Sequence, residues 1–284
     1  MQKFLQKIQA ALRSLPHAQM LVGEYVLIHY KNIPFLSVTE LAEKIGVSET
    51  TVFKFCGKLG YTGYMPFRRK LASLVQNELT TYQNLEDRTK DLSGTESIFE
   101  QVLKCDMHNI ETTLRDPLNH RNFERLQERL QTAKTIYICG FRSASTQAQY
   151  LGMTLRIQGK NVRIITPDTG NWAEVLCEAD ENDLFITFLF SRYSKQSVDI
   201  LRYMHKRGVT CCALTDSAAS PAYSLCDIPF ICENDSCYYQ GSYTGCMALI
   251  NTIITASSLA DKDRTTDHLK KVEKAFAEFD TFFI

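Results

Sequence analysis

The period of the apolar positions changes once along this 284-residue chain. Up to about residue 78 they fall in segments of helical length with short breaks, which predicts helices. From about residue 107 onward the pattern becomes short apolar, β-branched runs: Thr135–Cys139, Val162–Thr166, Leu184–Phe190, Val209–Leu214 and Ile228–Cys232. Segments of helical length separate these runs. Strands alternating with helices predict a parallel sheet covered on both faces. Two further helical stretches, 241–260 and 265–282, close the chain. Between the two zones, residues 79–106 begin polar and include Ser93 and Gly94. They read as a linker running into a helix that begins near Thr95. The expectation is therefore a multidomain chain: an all-α domain over 1–78, a linker and connecting helix over 79–106, and an α/β domain over 107–284.

The stretch from Ser37 to Cys56 carries the sharpest local signal. Ser37 followed by Glu40 is a capping box, which starts a helix. Leu41 and Ile45, one turn apart, face inward, and Ala42 is small where two helices must approach. Gly46 ends the first helix, because a sharp turn needs a residue that reaches positive φ. Val47 packs inside the turn, Ser48 caps a second helix, Glu49 suits its first turn, and Val52 and Phe55 return to the core. This order of features is a helix-turn-helix. Its second helix would enter the major groove of double-stranded DNA with Ser48, Glu49, Thr50, Thr51, Lys54 and Lys58 outward. Arg68, Arg69 and Lys70 form a cationic run suited to phosphates, and a solvated helix face explains that run equally well.

The charge distribution agrees. The formal net charge is zero, but residues 1–80 hold ten basic against five acidic side chains, a surplus of five that the remainder reverses. A basic module beside an acidic one suits polyanion binding. Ten cysteines could suggest a disulfide framework. Cys139, Cys211, Cys212 and Cys232 instead lie inside apolar runs, where cysteine acts as a small hydrophobe, and no C-x-x-C pair gives zinc spacing. No stretch reaches about 18 uninterrupted apolar residues. The first fifteen residues are amphipathic, with no leader-like apolar core. These features predict a soluble cytoplasmic protein that needs no membrane, no metal and no cofactor.

In the second zone, Lys134 to Ser145 reads as strand, tight turn, helix, with Arg142, Ser143 and Ser145 at the turn. Phe190 to Gln196 repeats the arrangement, with Ser191 and Ser194 near Arg192 and Lys195. Ligands of open α/β sheets bind at the carboxyl ends of strands, and helix N-termini there suit phosphate. Neither turn matches G-x-x-x-x-G-K-S/T or G-x-G-x-x-G, which argues against a nucleotide or dinucleotide. Each serine taken alone can be read as a helix cap; two such turns in one sheet point to an anion pocket.

The segment from Leu36 to Ala72 resembles the N-terminal domain of the RpiR family of regulators, including the tail from Lys58 to Phe67. Gly57 departs from it, standing where the family usually has a basic residue. The half from about 107 resembles a sugar isomerase (SIS) domain. Its landmarks are Gly140, Arg142 and Ser143, then Ser191 to Ser194, then Arg207, Ala213 to Ser217, Ser220 and Asp227. The resemblance implies a flavodoxin-like parallel sheet and a phosphorylated sugar effector held by Ser143, Ser145, Ser191 and Ser194, with Arg142 reaching the phosphate or pairing with an acid. Arg142 stands where many members have glycine, and Ala144 and Leu189 where many have serine.

The resemblance implies a DNA-binding transcriptional regulator controlled by a sugar phosphate. A sugar-phosphate isomerase is the alternative from another class, and it needs a base near the pocket; Glu174, Glu178 and His205 are the candidates. Arg142 and Leu189 also leave open a domain that only mediates oligomerisation. The sequence favours no catalytic residue. Met247, Leu249, Ile250, Ile253 and Ile254 are expected partly to seal the sheet and partly to face another subunit, in a homodimer or a dimer of dimers.

Overall fold

A computed structural model describes residues 2–12, 15–30, 33–78, 85, 88, 97–218 and 220–282. The described residues form two compact units, 1–80 and 81–284. Most of the expected linker, including Ser93, Gly94 and the expected helix start at Thr95, lies outside the described residues.

The first unit is all helical: α1 (Gln2–Leu12), α2 (His17–His29), a short 3-10 turn at Ile33–Phe35, α3 (Val38–Ile45), α4 (Glu49–Lys58) and α5 (Tyr64–Glu78). Its core joins Leu41 and Ala42 of α3 to Val52, Phe55 and Cys56 of α4, with Val22 and Val26 of α2 beneath them. Phe67 of α5 is fully buried and meets the rings of Phe4, Phe55, Tyr61 and Tyr64 at centroid distances of 5.5–6.5 Å. Aromatic pairs at such distances add to plain area burial.

The second unit is an α/β domain. It begins with α6 (Ile98–Arg115), which starts on a capping box of Ser97 and Glu100. It continues through α7 (Pro117–Thr132), β1 (Ile136–Gly140), α8 (Ser145–Ile157), β2 (Val162–Ile165), α9 (Trp172–Leu176), β3 (Leu184–Leu189), α10 (Lys195–Lys206), β4 (Thr210–Thr215), β5 (Ile228–Ile231), α11 (Thr244–Ala260) and α12 (Lys262–Glu278). All five expected strands form, each within one residue of its expected bounds. They pair in parallel in the order β2-β1-β3-β4-β5.

Side chains alternate across the sheet with period two. Ile136 and Ile138 enter one core with Leu126 of α7, Leu151 of α8 and Ile250 of α11. Tyr137 and Cys139 enter the other, with Leu176 of α9 and Leu201 of α10. Every residue of β1 and β3 is buried, which is why these strands read as unbroken apolar runs. Of the five α11 residues expected partly to seal the sheet and partly to face another subunit, all touch this core but only two are fully buried. Ile250 and Ile253 lie in the core, and Met247, Leu249 and Ile254 pack against it.

The edge of the sheet at β5 is closed by side chains. Asn119 donates to the Ile231 carbonyl at 2.7 Å and accepts the Ile231 N–H at 2.9 Å. Asn122 donates to the Pro229 carbonyl at 2.5 Å. Further along, the Glu233 N–H donates to Thr113 Oγ1, and Asn109 exchanges both of its amide bonds with the Asp235 backbone. These four side chains on α6 and α7 are buried and act in place of a sixth strand. Replacing Asn119 by Leu is expected to orphan three backbone groups, the N–H and carbonyl of Ile231 and the carbonyl of Thr113, at about 1–3 kcal/mol each, which urea unfolding of the full chain will measure.

Candidate functional site

The first candidate surface is α4 and the turn before it. Ser37 Oγ accepts the Glu40 N–H at 3.1 Å while Glu40 takes the Ser37 N–H at 2.7 Å. These bonds draw the Glu40 carboxyl below the usual carboxylate range. Gly46 closes α3 at φ 76°, in the left-handed region. Ser48 Oγ accepts the Thr51 N–H at 3.2 Å and lies 2.9 Å from the Thr51 hydroxyl. Thr39 donates to Glu49 across the two helices at 2.6 Å. Ser48, Glu49 and Thr51 therefore also hold the motif together. Thr50, Lys54 and Lys58 are exposed on the outer face, as is Arg69. Arg68 is half-buried and donates to the Leu36 carbonyl at 3.3 Å, so it helps anchor α5 to the segment before α3. One outward residue escaped the sequence reading: Phe53, exposed beside Lys54.

The second candidate surface is at the carboxyl ends of β1 and β3. These strands are neighbours, and connections leave them for opposite faces of the sheet, so a crevice opens there. Both turns at this place hold an arginine in the left-handed region, Arg142 at φ 58° and Arg192 at φ 64°. Among the described residues, only Asp280 shares that conformation without being glycine. Such backbone strain gathers at functional sites.

The four serines differ in what they already do. Ser143 Oγ lies 2.8 Å from the Tyr243 hydroxyl. Ser145 opens α8, whose start has no side-chain cap. Ser194 is the N-cap of α10 and accepts the Ser197 N–H at 3.4 Å. Ser191 gives its N–H at 2.8 Å, and also its hydroxyl, to Asp216.

Asp216, at the end of β4, is the group the sequence reading passed over except as part of a landmark. It also accepts the Tyr193 hydroxyl at 3.0 Å. Burial pushes its carboxyl above the ordinary carboxylate range, and the bonds from Ser191 and Tyr193 pull the other way. Tyr243 was missed too. It is half-buried and packs edge-on against Phe190, with ring centroids 5.0 Å apart. It ties the start of α11 to the turn after β1.

Residues 2–78 match the helix-turn-helix domain of the rpiR family, and residues 129–260 match the SIS domain. The chain belongs to the RpiR family of regulators. The HTH-type transcriptional regulator HexR of Escherichia coli is 26% identical over 286 residues, covering 96% of this chain and 94% of its own. Two solved structures share the fold. The RpiR transcription factor from Sphaerobacter thermophilus (sugar isomerase domain) is 24% identical with a TM-score of 0.59, over 63% of this chain and 99% of its own. The Vibrio vulnificus NanR protein, complexed with ManNAc-6P, is 21% identical with a TM-score of 0.61, over 97% and 98%.

For this RpiR-family regulator two of the three isomerase candidates, Glu178 and His205, are engaged away from the crevice. Glu178 pairs with Arg163 of β2 at 2.6 Å. Glu174 accepts from Asn171, three residues before it. His205 lies near Cys211 and Asp227, at the opposite end of the sheet. Those three residues bring potential ligand atoms within 4.8 Å of one another, a grouping that the scattered sequence positions did not reveal. Its contacts are already internal, since Asp227 accepts the Cys211 N–H at 2.8 Å and the Cys211 thiol faces the Val209 carbonyl. Burial raises the thiols of Cys56 and Cys139 to about 12, which leaves them protonated and inert. All ten cysteines are free, and no described helix is long and apolar enough to cross a membrane.

The left-handed backbone at Arg142, at φ 58°, is a conformation that glycine adopts without strain. Arg142→Gly is expected to fold with unchanged or higher stability, whereas Arg142→Val should lose about 1–3 kcal/mol in thermal or urea unfolding.

Proposed function

We propose that this chain is a transcription regulator whose α4 reads an operator and whose crevice at β1 and β3 binds a phosphorylated sugar that sets operator affinity. The observation that carries the reading is the convergence of two hydroxyl-bearing, strained turns on neighbouring strand ends of a parallel sheet. The hydroxyls of Ser143, Ser145 and Ser194 and the starts of α8 and α10 can serve one phosphate, because helix N-termini offer N–H groups and a positive dipole end, while the Ser191 hydroxyl is held by Asp216. The Asp216 bonds hold the second turn in shape before ligand arrives. NanR of Vibrio vulnificus, solved with ManNAc-6P, supports a sugar phosphate as the ligand class. In this reading the domain acts as a sensor rather than a catalyst, supported by two of the three candidate bases, Glu178 and His205, being engaged away from the crevice. Free thiols throughout suit a reducing cytosol.

The deciding experiment is a panel of sugar phosphates added to the full chain, read by melting temperature. A true ligand at 100 times its dissociation constant stabilises by about 2.7 kcal/mol. Ser143→Ala with Ser145→Ala, and separately Ser191→Ala with Ser194→Ala, are each expected to remove that shift. The first pair tests the pocket without disturbing Asp216. A shift that survives in both double variants places the effector elsewhere.

Operator binding is tested on α4. Lys54→Ala is expected to weaken specific DNA binding by about 1–3 kcal/mol if the lysine reads a base, with Thr50→Ala in the same direction. Gel shifts in which both behave like the parent protein remove this helix from the reading role.

A further inference from the structure

The outward face of α4 carries two residues that the folding of the first unit does not explain. Val52, Phe55 and Cys56 turn into the core. Thr50, Phe53, Lys54 and Gly57 follow at helical spacing on the opposite, exposed face. Phe53 is 45% exposed, a large ring set between a threonine and a lysine. Gly57 stands one turn further on. A Cβ added there would meet nothing within 4 Å, so no close packing calls for glycine. Its φ is not in the left-handed region, so no tight turn calls for it either. Glycine inside a helix is unfavourable relative to alanine. What it supplies is bare backbone, which another molecule can approach closely. Lys54 and Lys58 stand exposed beside it, so the face suits a polyanion.

A phenyl ring has no hydrogen-bond donor or acceptor. Against the major-groove edge of guanine, cytosine or adenine it would strip water from polar groups and return no bond. Thymine alone offers an apolar group there, its 5-methyl. We propose that Phe53 reads a thymine, its ring against the 5-methyl group, and that Gly57 lets the α4 backbone approach the same stretch of groove. The proposal rests on the reading of α4 as the operator helix and adds which base that helix demands.

The full chain is used to select duplexes from a random pool, and each thymine of the selected site is then replaced by uracil, which lacks only the methyl. Affinities are read by fluorescence anisotropy. The parent protein is expected to lose about fourfold at one thymine position, the worth of one buried methyl. Phe53→Ala is expected to bind the thymine duplex about fourfold or more weaker than the parent, and to be indifferent to uracil at that position. Because Phe53 is exposed, the circular dichroism and melting temperature of this variant should match the parent's. Gly57→Ala is expected to melt higher, since alanine favours the helix, and yet to bind the selected duplex about threefold or more weaker. A parent indifferent to uracil at every thymine overturns the assignment. So does Phe53→Ala with undiminished binding, or with the parent's full loss on uracil. Gly57→Ala binding like the parent overturns the close approach. Lys54→Ala on the same duplex separates the two readings. If it loses specific binding while uracil has no effect, α4 still reads the operator and only the Phe53 assignment falls. A full chain that selects no sequence removes both.

Discussion

The parallel pairing of β1 with β3 is the constraint on which the second unit depends. With the order β2-β1-β3-β4-β5, the connections after these two strands diverge to opposite faces. Parallel strands require long crossovers, so helices must cover both faces and both cores must be apolar. The same divergence places the crevice at the carboxyl ends of these two strands. The two serine turns lie there because that is where two neighbouring strands end and two helices begin.

An opening of this kind holds a ligand only if its walls keep their shape. Asp216 supplies part of that rigidity. A carboxylate taken from water is costly unless hydrogen bonds replace its hydration, and Ser191 and Tyr193 provide them. Left-handed arginines in both turns are a further cost that the surrounding packing over-determines. Tyr243 contributes from the far side, bridging the turn after β1 to α11 and resting on Phe190. The crevice is thus braced by β4 and α11, not only by the two strands whose turns form it.

Sheet closure at β5 follows a different logic. An open edge leaves backbone groups available to any other chain. Here Asn119 and Asn122 on α7, and Asn109 and Thr113 on α6, take up those groups one after another. Polar side chains buried at this density are tolerated because each finds a backbone partner. This fixes the rotation of α6 about its axis, and so decides which of its faces is left to solvent.

The helix-turn-helix was legible from sequence because its signals are local. A capping box, a left-handed glycine and a second cap fall within twelve residues, and each acts on its own neighbours. The five strands were legible because burial on both faces leaves unbroken apolar runs, and the serines because a strand-to-helix turn is a local pattern. What the sequence could not contain was the pairing of distant groups. Ser143 meets Tyr243 across 100 residues, Asn119 meets Ile231 across 112, and Ser191 meets Asp216 across 25. Similarly, the helical spacing of α11 marked apolar residues without saying which element would cover them, and packing placed Ile250 and Ile253 in the core beneath the sheet. Local chemistry set the elements and their ends; the order of the strands, known only once the chain has folded, decided which side chains became partners and which face of α6 remained bare.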